Sequence, residues 1–447
     1  MTGNNHNSDN HAERRQPSDS RQPSDTGLRA RTDRTLIRST HRSERFVLVE
    51  LDAPPATTQS KREPVNVAFV LDRSGSMGGR KIQLARRAIE TAIGRLRPED
   101  RFAVIAYDEH IDVVVESTAA SSEAKDGAIE RVRRIDARGS TDLGGGWLKG
   151  AEQVALHQAT LGGGGIHRVL LLTDGLANKG ITDPAELSRH AGELRARGIS
   201  TTTFGVGEDF DETLLQGMAD AGGGHFYYIE RPEQITDLIA SEVGELLEIV
   251  ARDAAIEITA PDGMTIGTLS PHRFESRGSR SVLLVGDLVA GQHLEAVIRI
   301  KFGYGPIGSG TGVLIGVTDR DGVMASSGHA PAALTWQYAD DMANDGQARD
   351  RSVDRRVAAL FAARARQDAV KMNRAGEFEN AVRGLREVSG RILGYAGRDP
   401  EIRALVDELR AEEGQWSTQA SESVRKRSYA SANYAQRSRR PDGTASR

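Results

Sequence analysis

The 447-residue chain contains no cysteine, and that absence removes disulfides, thiolate zinc sites and thiol catalysis together. It fits a reducing compartment. Long apolar runs are missing too. No window approaches the roughly 18 consecutive apolar residues of a membrane-spanning helix, and the opening "MTGNNHNSDNHAERR" lacks the charged-then-apolar order of a secretory leader. A cytoplasmic protein is the expectation. Neither sign of charge dominates: 59 Lys and Arg against 63 Asp and Glu leave a formal net charge of −4, so no global field recruits nucleic acid or a membrane surface. What remains is a globular mix of apolar and charged residues, long enough for two or three domains.

Residues 1–44 are polar and carry a duplicated "RQPSD" (Arg15 to Asp19, Arg21 to Asp25), which reads as a disordered arm. Residues 45–64 open with a strand, "RFVLVELDAP", that is expected to pair with a later β-sandwich. From 65 to 248 strands and helices alternate. "VNVAFVLD" and "HRVLLLTDG" are continuous apolar runs of the kind buried on both faces of a parallel sheet. "RFAVIAYD", "ISTTTFGVG" and "GHFYYIE" supply further strands, and Ile82, Ala85, Ile89, Ile93 and Leu96 form one helical stripe. The alternation predicts an α/β fold, a doubly wound and mostly parallel sheet with helices on both faces. From 249 to 345 the period becomes two, with Leu294, Ala296, Ile298, Ile300 and Phe302 on one face, as in an antiparallel sandwich. Helical spacing returns over 346–415, predicting about three amphipathic helices, and 416–447 reads as a basic, mobile tail.

One stretch demands a chemical account. "FVLDRSGSMGGRK" places an acid and two hydroxyls at the tip of a buried strand. Two other loops have similar chemistry, "RGSTDLGGGW" around Thr141 and "LLTDG" ending in Asp174 and Gly175. In a doubly wound sheet these loops converge at the carboxyl edge of the strands, where such sheets bind ligands. Asp72, Ser74, Ser76, Thr141 and Asp174 then share one location. An all-oxygen set is hard and suits Mg²⁺ or Mn²⁺, with Ca²⁺ as a further choice. Two carboxylates and three hydroxyls neutralise a divalent ion without surrounding it, leaving a position for an acidic residue of a partner protein.

These residues carry a resemblance. Asp72-x-Ser74-x-Ser76 with a later Thr141 and the T-D-G of Thr173, Asp174 and Gly175 is similar to the metal-ion-dependent adhesion site of von Willebrand factor type A (VWA) domains, with all five positions filled as that family fills them. The resemblance implies that Ser74, Ser76 and Thr141 approach the metal through hydroxyls, and that Asp72 and Asp174 act largely through waters. The region that follows, "LLEIVARDAAIEI" and "VLLVGDLVAGQHLEAVIRI", resembles plant VWA and RING ubiquitin ligases and, more loosely, inter-alpha-trypsin inhibitor heavy chains. Without cysteine there is no zinc RING, so ubiquitin ligation is not carried over.

Plainer readings stand beside this one. Asp and Ser also suit turns and helix N-caps. Asp72 occupies the place of a phosphatase nucleophile, but Ser74 stands where that chemistry needs a second acid, which leaves no general acid. The glycine runs "LGGGW" and "LGGGGIH" lack a phosphate-loop frame and read as flexible linkers. His110, His157, His167 and His225 show no ligand spacing and read as surface or hydrogen-bonded histidines. "RKRSYASANYAQRSRR" sets Arg beside Tyr429 and Tyr434, a pattern that contacts RNA or an acidic partner but is more often a solvated tail. The expected function is a non-enzymatic, divalent-metal-dependent interaction module whose partner presents Asp or Glu. The alternative is a regulatory or adaptor subunit of an AAA+ ATPase or another intracellular complex.

Overall fold

The computed structural model describes residues 27–56, 62–161 and 165–447. Its centre is the strand Val65–Asp72, buried at all eight positions. The apolar run that predicts this burial has neighbours on both sides. Across the sheet the order is Ile111–Ala119, Arg101–Tyr107, Val65–Asp72, Ile166–Thr173, Ile199–Val206 and Gly223–Ile229. All pairs are parallel except the first, which is antiparallel. After Val65–Asp72 the chain first builds outward on one side and then crosses to the other, so a topological switch point lies between Val65–Asp72 and Ile166–Thr173.

Helices cover both faces. On one, Arg80–Arg95 buries Ile82, Ala85, Ile89 and Ile93 in a core shared with Val132 and Ile239. On the other, Leu143, Trp147 and Leu215 form a core continuous with Leu385, Trp416 and Tyr429 of the C-terminal helices. The "LGGGW" run is no linker, because it opens the helix Leu143–Ala155. Glycine is a poor helix former, but close approach to the sheet requires it here. A Cβ at Gly150 would lie 2.3 Å from Val70 Cγ2, and one at Gly146 would lie 2.5 Å from the Tyr107 ring. Three of the four glycines in the second run, "LGGGGIH", at positions 162–164, lie outside the described residues.

The sandwich joins two sheets over a core that includes Val47, Leu51, Ile256, Ile298 and Trp336. The four-stranded sheet runs Leu28–Thr32, Ser43–Asp52, His293–Phe302, Thr265–Thr268. The six-stranded sheet runs Arg273–Arg277, Arg280–Val289, Ile249–Thr259, Gly310–Thr318, Ala332–Ala339, Leu36–Arg38. Ser43–Asp52 pairs in register with His293–Phe302 over ten residues, so the α/β domain is inserted between two parts of the sandwich. The reading of 1–44 as a disordered arm is corrected from residue 27 onward; its first 26 residues, with both "RQPSD" copies, lie outside the described residues. The polar composition of 27–44 conceals strands because their charges are paired across the ladder. Arg29 meets Asp52 at 2.7 Å and Arg31 meets Glu50 at 3.0 Å, while Leu28 and Ile37 face the core.

The C-terminus differs as well. Residues 351–374, 378–396 and 400–416 form the three expected helices, but the supposed mobile tail contains a fourth, Glu422–Gln436. Lys426 Nζ reaches Glu212 at 2.9 Å, Arg437 reaches Asp220 at 2.5 Å and Arg439 reaches Glu245 at 2.8 Å. The backbone amide of Tyr228 donates to the Tyr434 hydroxyl at 3.2 Å. The basic character of the tail is thus matched by acids on the α/β domain, which are distant in sequence and invisible to composition.

Ending the chain after Ala420 is therefore expected to lower the midpoint of thermal unfolding measured by circular dichroism. Buried Tyr429 and Tyr434 are each worth on the order of 1.5–3 kcal/mol. An unchanged midpoint would restore the mobile-tail reading.

Candidate metal centre

Asp72 is the last residue of its strand, and the chain then turns sharply. The Ser74 amide donates to Asp72 Oδ1 at 2.8 Å, a 3₁₀ turn spans Gly75–Met77 with Met77 buried, and Gly79 takes φ +72 before the helix Arg80–Arg95 begins. That φ favours glycine. Neither serine caps a helix: Ser74 makes no side-chain cap bond to the 3₁₀ turn, and the N-cap of the following helix is Gly79. The plainer reading of the serines as side-chain caps thus loses its geometric support, while the turn and the local hydrogen bond to Asp72 that it also expected are present.

Instead the two hydroxyls face each other and the third loop. Ser74 Oγ lies 3.0 Å from Ser76 Oγ, which donates to Asp174 Oδ1 at 2.7 Å. Asp174 follows the strand Ile166–Thr173, across the switch point. Thr173 Oγ1 donates to Asp72 Oδ2 at 2.6 Å. Thr141 precedes the helix Leu143–Ala155 and lies against Gly175: a Cβ there would meet Thr141 Oγ1 at 3.4 Å. All five residues singled out by sequence are therefore gathered at one edge of the sheet. Asp72, Ser74, Thr141 and Asp174 are buried, and Ser76 is exposed.

Cross-ties hold the loops. Gly75 N donates to Gly139 O at 3.1 Å, and Asn178 N to Thr141 O at 3.4 Å. Behind the first two loops, Asp108 accepts from Arg73 Nε at 3.0 Å and from Arg138 Nε at 2.8 Å. Burial alone would raise the Asp108 carboxyl, but Arg138, the His110 amide and Arg73 outweigh it and hold the group below its ordinary range. Asp108, Arg73 and Arg138 form a clamp that sequence reasoning did not identify, since their partnership spans 30 and 35 positions.

Two further residues were missed. Lys81, one residue into the helix, places Nζ 2.5 Å from Asp174 Oδ2. Tyr107 sits beside Asp72 in the strand register, fully buried, and burial with the Asp72 charge keeps its phenol protonated far above the ordinary range. The signal for Tyr107 was its position at the end of the adjacent strand; for Lys81 it was a cation at the start of the helix that follows the motif.

Asp72 is the electrostatic exception. Among the described residues, each other buried carboxylate has a cationic partner within 4 Å: Asp33, Asp100, Asp108, Asp174, Glu212, Glu242, Glu245, Asp354 and Asp399. Asp72 has none. Burial raises it to about 6, partly offset by hydrogen bonds from Thr173 and Ser74. A buried carboxylate that lacks a counter-charge is costly, and here it stands beside hydroxyls that no fold element uses. This donor set fits a hard divalent cation.

The histidines read as surface or hydrogen-bonded behave differently from one another. His110 is exposed, whereas His225 contacts Glu242 at 3.0 Å and Arg439 at 2.9 Å in a buried network. His167 is buried, and burial with Arg252 and Arg320 nearby depresses it to about 4.

Comparison with known proteins agrees with this architecture. The sequence pattern of the von Willebrand factor type A domain matches residues 66–241. Uncharacterized protein YfbK of Escherichia coli K12 is 31% identical over 221 residues, covering 48% of this chain and 37% of YfbK. Inter-alpha-trypsin inhibitor heavy chain H4 of Homo sapiens is 30% identical over 200 residues, 44% of this chain and 21% of that protein. The chain thus spans well under half the length of both relatives. Among solved structures, a von Willebrand factor type A protein from Catenulispora acidiphila superposes with a TM-score of 0.66 at 20% identity, covering 89% of this chain and 97% of that one. The ArnB paralog VWA2 from Sulfolobus acidocaldarius gives 0.57 at 16%, covering 93% and 98%. These two likenesses establish the fold, including the parts outside the α/β sheet. From its sheet order, its loop geometry and these matches, the chain carries a von Willebrand factor type A domain, inserted in a β-sandwich and followed by packed helices.

Proposed function

We propose that this protein is a non-catalytic interaction module that captures an acidic side chain of a partner protein through a divalent cation, Mg²⁺ or Mn²⁺ with Ca²⁺ as an alternative, held by Asp72, Ser74, Ser76, Thr141 and Asp174. The observation that carries the reading is the uncompensated buried charge of Asp72 next to the linked hydroxyls of Ser74 and Ser76. The cation, when bound, supplies positive charge and an open coordination position for a carboxylate. The chain's own residues do the rest. Thr173 and the Ser74 amide fix the Asp72 carboxylate, the Asp108 clamp fixes the loops, and exposed Ser76 leaves the site open to a partner. Lys81 donates to Asp174 at 2.5 Å, so its ammonium competes for the same negative charge.

Calorimetric titration of Mg²⁺ and Mn²⁺ is expected to give binding in the wild type. It should be lost in Asp72→Ala and in the Ser74→Ala, Ser76→Ala double variant, and severalfold tighter in Lys81→Met, since a nearby like charge is removed. A partner retained in a pull-down should be released by EDTA. Retention in EDTA by wild type and Asp72→Ala alike would sink the proposal.

Stability gives an independent check. The Asp72 carboxyl moves from an ordinary 3.8 to about 6 on folding, so the metal-free folded state holds its proton more tightly than the unfolded chain. The resulting stabilisation is fully present below about pH 4 and is lost as pH rises through about 6. Asp72→Asn is expected to stabilise the metal-free protein at pH 7 to 8 by up to about 3 kcal/mol and to change it little near pH 4. Denaturant melts at both pH values decide this; destabilisation of equal size at both would show that Asp72 serves the fold.

A further inference from the structure

The opposite edge of the VWA sheet holds a second candidate site. A cavity of about 390 Å³ opens where the amino ends of Ile166–Thr173 and Gly223–Ile229 meet the sandwich strand Arg280–Val289 and the segment after Glu422–Gln436. Its lining is rich in cations. Four of them are committed: Arg168 reaches Asp287 at 2.7 Å, Arg437 reaches Asp220 at 2.5 Å, Arg439 reaches Glu245 at 2.8 Å and Arg273 reaches Glu275 at 2.8 Å. Those contacts also engage the two acids that line the cavity.

Arg195 is different. Its guanidinium makes no hydrogen bond or ion pair among the described residues, although the residue is half-buried and Asp253 and Asp287 lie near enough to act on it through space. Its guanidinium lies along backbone where two glycines leave room. A Cβ at Gly223, φ +71, would meet Arg195 Nε at 2.7 Å, and Gly286, φ +100, faces the same group from the sandwich with its would-be Cβ 4.0 Å from Nη2. His272, also in the lining, is 9% exposed, and its Nε2 has no hydrogen-bond partner. Burial, followed by Arg437, Arg195 and Arg356, depresses this imidazole to about 3. The ring is therefore neutral in a positive field, and its Nε2–H tautomer can donate. An unused guanidinium and an unused buried ring nitrogen in one cavity both call for an acceptor bearing negative charge. Pro271, Leu284 and Leu294 supply apolar wall for the body of a small molecule.

We propose that this cavity binds a small oxyanionic molecule whose phosphate or carboxylate group is received by Arg195 and His272. The site is separate from the metal centre, so it is tested in EDTA. Thermal unfolding is followed in sodium phosphate and in sodium citrate, each against sodium chloride at matched ionic strength. The wild type is expected to show a saturable rise in midpoint with at least one of the two anions. Phosphate alone would point to phosphorylated ligands, and citrate alone to polycarboxylates. Arg195→Gln and His272→Leu should each weaken the response about tenfold or more, as loss of a charge-assisted bond implies. In a second measurement that needs no variant, wild-type crystals soaked in tungstate should show an anomalous peak between Arg195 and His272. No saturable rise in the wild type, an equal rise in all three proteins, or no peak at that position would overturn the proposal.

Discussion

The carboxyl edge of the VWA sheet depends on one constraint, two carboxylates brought out of water at the ends of adjacent parallel strands. Asp72 and Asp174 are both essentially unexposed, and like charges so placed raise each other's cost. The fold lowers that cost for Asp174 with Lys81 and for Asp72 only with neutral donors, Thr173 and the Ser74 amide. Hydrogen bonds of this kind orient a carboxylate without cancelling its charge. The topology makes the arrangement stable in place, because the strands that end in these acids are pinned by apolar cores on both faces and cannot withdraw. The switch point then keeps the crossing connections apart, so the carboxyl edge remains open there.

Elsewhere the protein tolerates buried charge by supplying the partner from another domain. Glu212 of the VWA domain meets Lys426 and Arg374 of the C-terminal helices. Arg168 meets Glu242 within the domain and Asp287 from the sandwich. Arg439, near the end of the chain, reaches Glu245, His225 and the Tyr227 hydroxyl. Breaking such a pair by removing one member leaves the other uncompensated. The charged contacts between domains therefore act on their mutual arrangement together with the shared apolar core.

Much of this was legible in the sequence, and what was not has a common cause. The parallel strands announced themselves as apolar runs, and the five oxygen-bearing residues could be placed together because strand order at a doubly wound edge follows from the alternation of elements. Local rules failed where a distant partner overrode them. Leu28–Thr32 reads as polar because Arg29 and Arg31 find acids on the neighbouring strand. Gly146 reads as linker because the ring of Tyr107, which requires it, is distant in sequence. Lys426 and Arg439 read as solvated because Glu212 and Glu245 belong to another domain. Lys81 was visible as a residue but not as a neighbour of Asp174, 93 positions away.

The same accounting of charge separates structure from function. The pairings that close, Glu242 with Arg168 and Glu212 with Lys426, need nothing further and read as architecture. At the carboxyl edge of the sheet Asp72 has negative charge to spare, and at the amino edge Arg195 has positive charge to spare. The strand Ile166–Thr173 links the two, carrying Arg168 beside one site and leading into Asp174 at the other. For Asp72 in particular, stability alone would favour a paired or apolar group, since a buried ion without a partner lowers stability. The presence of the two groups at opposite poles of one sheet is explained most economically if each pole is completed by something the chain does not carry: a cation at one, an anion at the other.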